Sequence, residues 1–481
     1  MKINAPISVS DSSSSKNRKY FFGLLILIAS LILFKLQYLS LPYFWDEAWP
    51  YSSAIHDLYN HGLSLSPTAI SPEVSRGHPL LFHFLAAGWM KLFGTSITVV
   101  HTFPLLVSVI FLFQVWFFCR DFFSEEAGLI ACLFIAVQPV FLAQSGLLLP
   151  EILVALFSLA ALHAYLKKKK GWYLLITSLL LMTKETGVVV PISVSVFSAI
   201  SYLRSKPFQL KPLLQDQLWI LAPLIILATH FLLLKKTYGW YLFPDYSVFI
   251  SFTFSSITKR LGSILTYLFI YYGRVAYLIA ASAAIIFVLV KHTARKRNDV
   301  INLLLLFSLF YLLFGSVNMY SPRYYITLCG ALLITFTDLI CLAWSSKKKV
   351  LIFFVVVLAG LSIHYNTLKK SVVDHNLNYA DGVRVTQEAV DFCGQNNWYE
   401  KKIHTHFLMM KSLADPACGY LDGRPAFKNV VADFPDDVEI FIESGIEPDP
   451  DFKDMKARLR LVSVKRFEEH RAWAEIYRLP G

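Results

Sequence analysis

The sequence is poor in charged residues and in cysteine. Asp, Glu, Lys and Arg make up only 16% of the 481 residues, and 6 residues are cysteine. It also lacks a Gly-rich phosphate loop, a metal-ligand spacing such as H-E-x-x-H or C-x-x-C, and a repeat of convincing period. Hydrophobic residues reach 56% and aromatic residues 15%. This balance excludes an ordinary soluble multidomain protein and is typical of a polytopic membrane protein.

The apolar residues fall into long runs, and a membrane-spanning helix needs about 20 of them. We count about eleven runs, at residues 20–38, 98–118, 126–145, 147–166, 172–183, 186–203, 217–234, 272–291, 300–316, 324–343 and 350–365. The first run follows a polar, basic segment and lacks a small-residue cleavage site, which indicates a retained signal anchor. The predicted fold class is therefore an α-helical membrane protein with about eleven transmembrane helices.

Basic residues mark the cytoplasmic loops of such proteins. With the N-terminus inside, each predicted inner loop is basic, as at residues 120, 167–170, 204–211, 291–297 and 347–349. The topology is then N-in and C-out, in a cell (inner) membrane. The net charge of +12 is explained by these clusters, so we predict no nucleic-acid partner.

Three segments follow from this topology: a cytoplasmic N-terminus (1–19), a membrane domain (20–365) and an extracytoplasmic domain (366–481). The last is predicted as a small α/β domain because its apolar runs shorten and its charges become frequent. The patterns predict a helix at 382–396 and strands at 402–407, 438–442, 459–464 and 472–477. If that compartment is oxidising, its two cysteines, Cys393 and Cys418, are expected to pair.

Two predicted outer loops are long. The first, 41–97, contains an acidic pair among aromatic residues and then a segment from Pro79 to Phe93 that is typical of an interfacial helix. The second, 236–271, contains an aromatic collar at 238–244. Loops of this length usually carry function.

Ionisable residues gather at the predicted outer edge of the membrane. They are Asp46, Glu47, Arg76, His78, Glu151, Lys184, Glu185, Arg274 and Arg323. Such groups cost several kcal/mol at the edge of hydrocarbon unless they are paired or wet. Separate ion pairs are one interpretation of them, and a shared water-accessible cavity explains the set better.

This combination of charges suits a substrate with a lipid tail and a phosphate. Cations hold the phosphate and stabilise the charge that builds on it as a leaving group. A carboxylate takes the proton from an attacking hydroxyl or amine. Glycosyl transfer from a lipid phosphate needs both roles.

Five short segments follow one another along the chain: Asp46-Glu47, His78-Pro79-Leu80-Leu81, Pro150-Glu151, Thr183-Lys184-Glu185 and Arg323-Tyr324. In this order they resemble the C-type membrane glycosyltransferases (GT-C), in the branch of protein O-mannosyltransferases and the lipid A aminoarabinose transferase. The resemblance covers about residues 20–345. It implies a polyprenyl-phosphate sugar donor, a glycan, lipid or protein acceptor, and inverting transfer on the extracytoplasmic side.

The resemblance also implies roles for single residues. Asp46 matches the first-loop acid that acts as catalytic base, and Glu47 and Glu151 are the accompanying acids. His78, Lys184, Arg323 and Tyr324 match positions that bind substrate. Arg274 is added as a phosphate contact on its position alone.

Other functions are compatible with parts of the pattern. A transporter or flippase of a lipid-linked anion is the alternative, although transporters place charges near the midplane and contain inverted repeats. A non-catalytic sensor that uses the outer domain is a third possibility. Asp46, Glu47 and Glu151 offer oxygen ligands to a divalent ion, but the resemblance implies no cofactor, so we predict none.

Overall fold

The protein is described from a computed structural model, which covers residues 14–205, 209–290, 298–344, 346–368, 371–433 and 437–480. Most of the predicted cytoplasmic N-terminus and the basic loop at 291–297 lie outside the described residues.

Most of the described chain is helical. Its α-helices are α1 (Ser14–Lys35), α2 (Tyr51–His61), α3 (Pro72–Ser75), α4 (Leu81–Phe93), α5 (Ile97–Phe122), α6 (Glu125–Ala136), α7 (Pro139–Gln144), α8 (Glu151–Leu166), α9 (Lys170–Thr183), α10 (Val189–Ser205), α11 (Leu210–Leu221), α12 (Leu224–Tyr238), α13 (Pro244–Ser247), α14 (Phe254–Phe269), α15 (Arg274–Val290), α16 (Asn298–Val317), α17 (Ile326–Trp344), α18 (Lys348–Thr367), α19 (Tyr379–Gln395), α20 (Phe407–Ala414) and α21 (Phe452–Leu459). The strands are β1 (Lys402–His404), β2 (Asn429–Val431), β3 (Ile440–Ser444), β4 (Val462–Glu469) and β5 (Ala472–Arg478).

The chain is an integral membrane protein by the length and hydropathy of its helices. Among the described residues, seven helices are long and apolar enough to cross a bilayer, or up to eight if α11 and α12, which meet at 54°, form one span. The predicted count of about eleven is not confirmed. Three predicted runs form helices of fewer than 18 residues: α6 stops before Pro139 after 12 residues, α8 has 16 residues and α9 has 14.

The two long loops contain helices of their own. The predicted helix in the first loop is confirmed as α4, which ends where Gly94 adopts a φ of 107°. The second loop contains α14, where the sequence predicts only a loop. The Thr253 side chain caps α14 by accepting a hydrogen bond from Ser256 N.

The C-terminal residues form a five-stranded sheet in the order β2-β1-β3-β5-β4. β1 is parallel to β2 and β3, whereas β5 is antiparallel to β3 and β4. Two predicted strands differ from the observed ones. The strand expected at 402–407 ends at His404 because α20 begins at Phe407, and the one expected at 459–464 begins only at Val462 because Leu459 closes α21.

This domain packs on the loop that follows α1. Tyr43 N donates a hydrogen bond to Cys418 O at 3.0 Å, and the Tyr420 hydroxyl donates to Tyr43 O at 3.0 Å. The rings of Phe44 and Tyr379 lie 5.9 Å apart. We call the end of the helical bundle that carries these contacts the domain end.

The predicted Cys393–Cys418 bridge is wrong for this structure, in which both thiols are free and buried. The Cys418 thiol instead donates to Ala48 O at 3.6 Å. This contact directs the Cys418 thiol at the first loop.

Candidate active site

The acidic pair in the first loop lies on a tight turn. Trp45–Glu47 forms a single 3-10 turn that Trp45 enters with a φ of 53°, an uncommon conformation for an aromatic residue. Glu47 is fully buried and closes the turn, since its Oε2 accepts a hydrogen bond from Phe44 N at 3.1 Å. Its neighbour Asp46 keeps a side chain that is 32% exposed.

Glu47 also joins the loop to the helical bundle. Its Oε1 accepts from Leu148 N at 2.6 Å and lies 2.7 Å from His101 Nε2. His101 Nδ1 lies 2.9 Å from Leu39 O, and because a carbonyl only accepts, this nitrogen carries a proton. A buried carboxylate held by three partners is rigid, so Glu47 fixes the backbone from which Asp46 projects.

Arg323 binds the exposed acid of the pair. It lies on the 3-10 turn Pro322–Tyr325 that opens α17, and its side chain is 4% exposed. The guanidinium donates to the carboxylates of Asp46 and Asp374. Its Nε lies 3.5 Å from Glu151 Oε1. One cation therefore meets three carboxylates from separate parts of the chain.

Lys184 is the second cation of the site. It links the end of α9 to the turn Glu185–Val188, and its Nζ donates to Glu151 Oε1 at 3.1 Å. The Tyr324 ring lies beside both cations, with its centroid 4.2 Å from Lys184 Nζ and 5.1 Å from the Arg323 guanidinium carbon. Cations over an aromatic face are stabilised by the ring.

Glu151 is positioned by the start of a helix. It is the first residue of α8, where the helix dipole favours a negative side chain, and it is 3% exposed. Because the same oxygen faces Lys184 and Arg323, Glu151 holds the two cations side by side.

Two predicted site residues lie beside or outside this cluster. His78 borders it through Glu185: its Nδ1 is 3.0 Å from Glu185 Oε2 and its Nε2 is 3.3 Å from the Tyr246 hydroxyl. Arg274 contacts other residues: its Nε donates to Gln138 Oε1 at 2.9 Å, and one terminal nitrogen donates to Tyr267 O at 2.6 Å. The Tyr267 ring packs on His375, the neighbour of Asp374.

Sequence reasoning missed Asp374. This acid lies between α18 and α19. Burial raises the pKa of the Asp374 carboxyl, but Arg323 and His375 together outweigh burial and lower the pKa to about 2. It has no motif around it. Its only signal is an acid that closely follows the last span, on the side where the other acids gather.

The architecture is that of the GT-C fold of membrane glycosyltransferases, as the sequence predicted. ArnT from Cupriavidus metallidurans in the apo state has a TM-score of 0.56 and 14% identity to this chain, covering 95% of this chain and 98% of its own. The same protein bound to undecaprenyl phosphate has a TM-score of 0.55 and 13% identity, covering 94% and 97%. Likeness at this identity establishes the fold.

The family model of dolichyl-phosphate-mannose-protein mannosyltransferases matches residues 77–233. That range contains His78, Glu151 and Lys184 of the cluster. No curated protein matches the chain by sequence.

Proposed function

We propose that this protein is an integral-membrane glycosyltransferase that moves a sugar from a polyprenyl-phosphate donor to a glycan, lipid or protein acceptor. The observation that carries the proposal is the meeting of Asp46 with Arg323 at the domain end, beside Glu151 and Lys184. The likeness of fold to a protein that binds undecaprenyl phosphate supports a lipid phosphate as part of the donor.

Asp46 is the base in this mechanism. Its side chain is 32% exposed, whereas those of Glu47 and Glu151 are 0% and 3% exposed, so an acceptor reaches only Asp46 of the three predicted acids. Asp46 takes the proton of the acceptor hydroxyl or amine as that atom attacks the anomeric carbon. The bond from this carbon to the phosphate oxygen breaks, its electron pair leaves with the polyprenyl phosphate, and the configuration inverts.

Arg323 and Lys184 receive the donor phosphate. Both cations already face carboxylates, so a phosphate enters by replacing Asp46 and Asp374 as partners of Arg323. This exchange releases Asp46 to act as base when the donor is bound. Glu151 stays between the cations and keeps their spacing, and the Tyr324 ring supports both.

The remaining predicted residues take supporting roles. Glu47 positions the Asp46 loop through His101 and Leu148. His78, with Tyr246, borders the site as a contact for substrate. The contacts of Arg274 favour a role in joining helices α15 and α6/α7, and its predicted phosphate contact stays a prediction.

We place the reaction on the extracytoplasmic side of the cell (inner) membrane. Three helices that begin near the site end next to basic residues: α8 before Lys167, α10 at Arg204 and α17 before Lys347. Basic clusters mark the cytoplasmic side, so the site and the C-terminal domain face the opposite compartment. No metal takes part in this mechanism, since Arg323 and Lys184 supply the positive charge at the phosphate.

Replacing the base tests the proposal. A deletion strain is complemented with the wild type, with Asp46→Asn or with Asp57→Asn, and the surface glycans and glycolipids are compared by mass spectrometry. Asp57 lies on the neighbouring helix α2 and pairs only with the exposed His61 among the contacts described, which makes it a matched control.

Asp46→Asn is expected to insert normally and to lower turnover by about 100-fold or more, the range of a lost general base. Asp57→Asn is expected to restore the product that the deletion removes. Near-normal product with Asp46→Asn would contradict the mechanism, and an unchanged glycan profile in the deletion strain would contradict the function.

A further inference from the structure

A second group of convergent side chains lies in the C-terminal domain. His404 ends β1, His406 precedes α20, and Asp449 lies in the loop between β3 and α21. Asp449 Oδ2 is 3.7 Å from His404 Nε2 and 3.2 Å from His406 Nε2. The ligand atoms of the three residues all lie within 4.8 Å of one another.

We propose that His404, His406 and Asp449 form a binding site for a divalent transition metal, with Zn²⁺ as the ion that suits it best. Two imidazole nitrogens and one carboxylate oxygen are a donor set that zinc accepts. Metal–ligand bonds of roughly 2.0–2.2 Å in tetrahedral geometry place neighbouring donor atoms about 3.4 Å apart. The two distances to Asp449 Oδ2 lie on either side of that value.

The hydrogen bond of His404 prepares it as a ligand. Its Nδ1 lies 3.3 Å from the carbonyl oxygen of Asp433, which can only accept. The proton of a neutral His404 is therefore on Nδ1, and the lone pair is on Nε2, the nitrogen that faces Asp449. Metal-binding histidines are usually oriented in this way by a carbonyl or carboxylate on the other nitrogen.

His406 and the loop of Asp449 offer further donor atoms. His406 Nε2 is buried and makes no hydrogen bond with any residue that the structure describes, although it lies 3.2 Å from a carboxylate oxygen. Glu447 Oε2, two residues before Asp449, is likewise buried without a hydrogen-bond partner in the described chain. A metal ion would satisfy the nitrogen, and a water molecule would complete four ligands.

A second cluster of potential ligand atoms in the C-terminal domain already contains a cation. Asp381, Glu469 and His470 also bring ligand atoms together. There the Arg384 guanidinium lies 3.5 Å from Asp381 Oδ1 and 3.0 Å from Glu469 Oε1. Because a cation already lies between these two acids, this cluster serves as the control.

The position of the site gives the metal a structural consequence. Phe407 follows His406 directly, and its ring lies 5.6 Å from Trp45 and 6.1 Å from Trp49. These two tryptophans flank Asp46. A metal at His406 would therefore hold the start of α20 against the loop that carries Asp46, acting as a brace at a distance from the reacting atoms.

The experiment uses the full chain in detergent, stripped of metal and titrated with zinc sulfate by calorimetry and by competition with a chromophoric chelator. The wild type is expected to bind one equivalent at this site. His406→Gln and Asp449→Asn are expected to weaken it at least tenfold, while His470→Gln, the same substitution in the Arg384 cluster, leaves it unchanged. His406 is 32% exposed, and the asparagine side chain in Asp449→Asn retains an oxygen for the turn, so both variants should fold.

Two further measurements separate this site from adventitious binding. Zinc is expected to raise the Tm of the wild type and of His470→Gln but not of His406→Gln, with circular dichroism confirming that each variant is folded. X-ray absorption at the zinc edge is expected to show nitrogen and oxygen neighbours with imidazole scattering. The proposal would be overturned if the wild type failed to bind zinc, if binding survived His406→Gln and Asp449→Asn, or if the zinc had a sulfur ligand.

Discussion

Arg323 binds Asp46 across 277 positions of sequence. The first residue opens a late helix, and the second lies in the loop that follows the first helix. The same guanidinium also binds Asp374, which lies just before the C-terminal domain. Arg323 therefore joins the loop after α1 to the segment between α18 and α19 at one point, and Asp46 reaches this point on a turn that Glu47 holds rigid.

Replacing Arg323 by lysine removes this junction. An ammonium group is a single point charge and cannot bridge Asp46 and Asp374 as a planar guanidinium does. We expect kcat/KM of Arg323→Lys to fall by about 100-fold or more, the effect of losing one preorganised donor to developing charge. Turnover and binding of a polyprenyl phosphate are measured together. Arg424→Lys, where the guanidinium meets the single carboxylate of Asp391, should behave as the wild type, and equal activity of the two variants would refute this role.

The meeting of Asp46 with Arg323 was foreseeable because the lengths of apolar runs decide which ends of the helices share a side of the membrane. That reasoning placed both residues on one side, and the order of short motifs singled them out. It could not say which groups on that side touch. Arg274 was expected near the phosphate, yet it contacts Gln138 and Tyr267, because its neighbours depend on helix packing rather than on depth.

Other features could not be predicted from the lengths of the apolar runs. Asp374 comes from a short irregular segment whose position is set by the docking of the C-terminal domain. The helix count of about eleven is not confirmed, because hydrophobicity alone does not reveal where a helix ends. The sequence did not predict α14 because Lys259 and Arg260 interrupt its run of apolar residues. Tertiary contacts decide all three features.

Glu47 is expected to matter for stability more than for chemistry. In Glu47→Gln, one carboxylate oxygen becomes an amide NH2 group, which is itself a hydrogen-bond donor. This group then faces another donor, which is Phe44 N, Leu148 N or His101. Breaking a buried charged pair costs roughly 3 kcal/mol of unfolding free energy. We expect a lower Tm with near-normal turnover in the fraction that stays folded. Glu439→Gln, whose partner Lys401 is exposed, is the control. A normal Tm with abolished turnover would instead assign Glu47 to catalysis.

Glu151 and Lys184 are expected to act as a unit. Lys184→Met leaves Glu151 beside Arg323, and Glu151→Gln leaves Lys184 over the Tyr324 ring. The two losses should not add, and a double-mutant cycle on donor binding is expected to give a coupling energy of about 1–3 kcal/mol. The exposed pair Lys401–Glu439, analysed by the same cycle on unfolding, should give less than about 1 kcal/mol. Additive losses at Glu151 and Lys184 would show that they bind the donor independently.

Asp374 is expected to make the free energy of unfolding depend on pH below about pH 4. Burial opposes the charge of its carboxyl, but Arg323 and His375 together lower the pKa from 3.8 to about 2. A lowered pKa stabilises the folded state fully above about pH 4, and this contribution disappears as the pH falls through 2. The difference in unfolding free energy between the wild type and Asp374→Asn is therefore expected to shrink by about 2 kcal/mol between pH 5 and pH 2.

Unfolding in detergent at a series of pH values measures this difference. Asp454→Asn, at an exposed carboxylate on α21, should give a nearly constant difference over the same range. The profile of kcat/KM between pH 5 and pH 8, which reports the free enzyme, should show no titration of Asp374, because its carboxyl stays ionised there. A difference between the wild type and Asp374→Asn that is as flat as that of the control would mean that Arg323 does not hold the Asp374 charge in the folded protein.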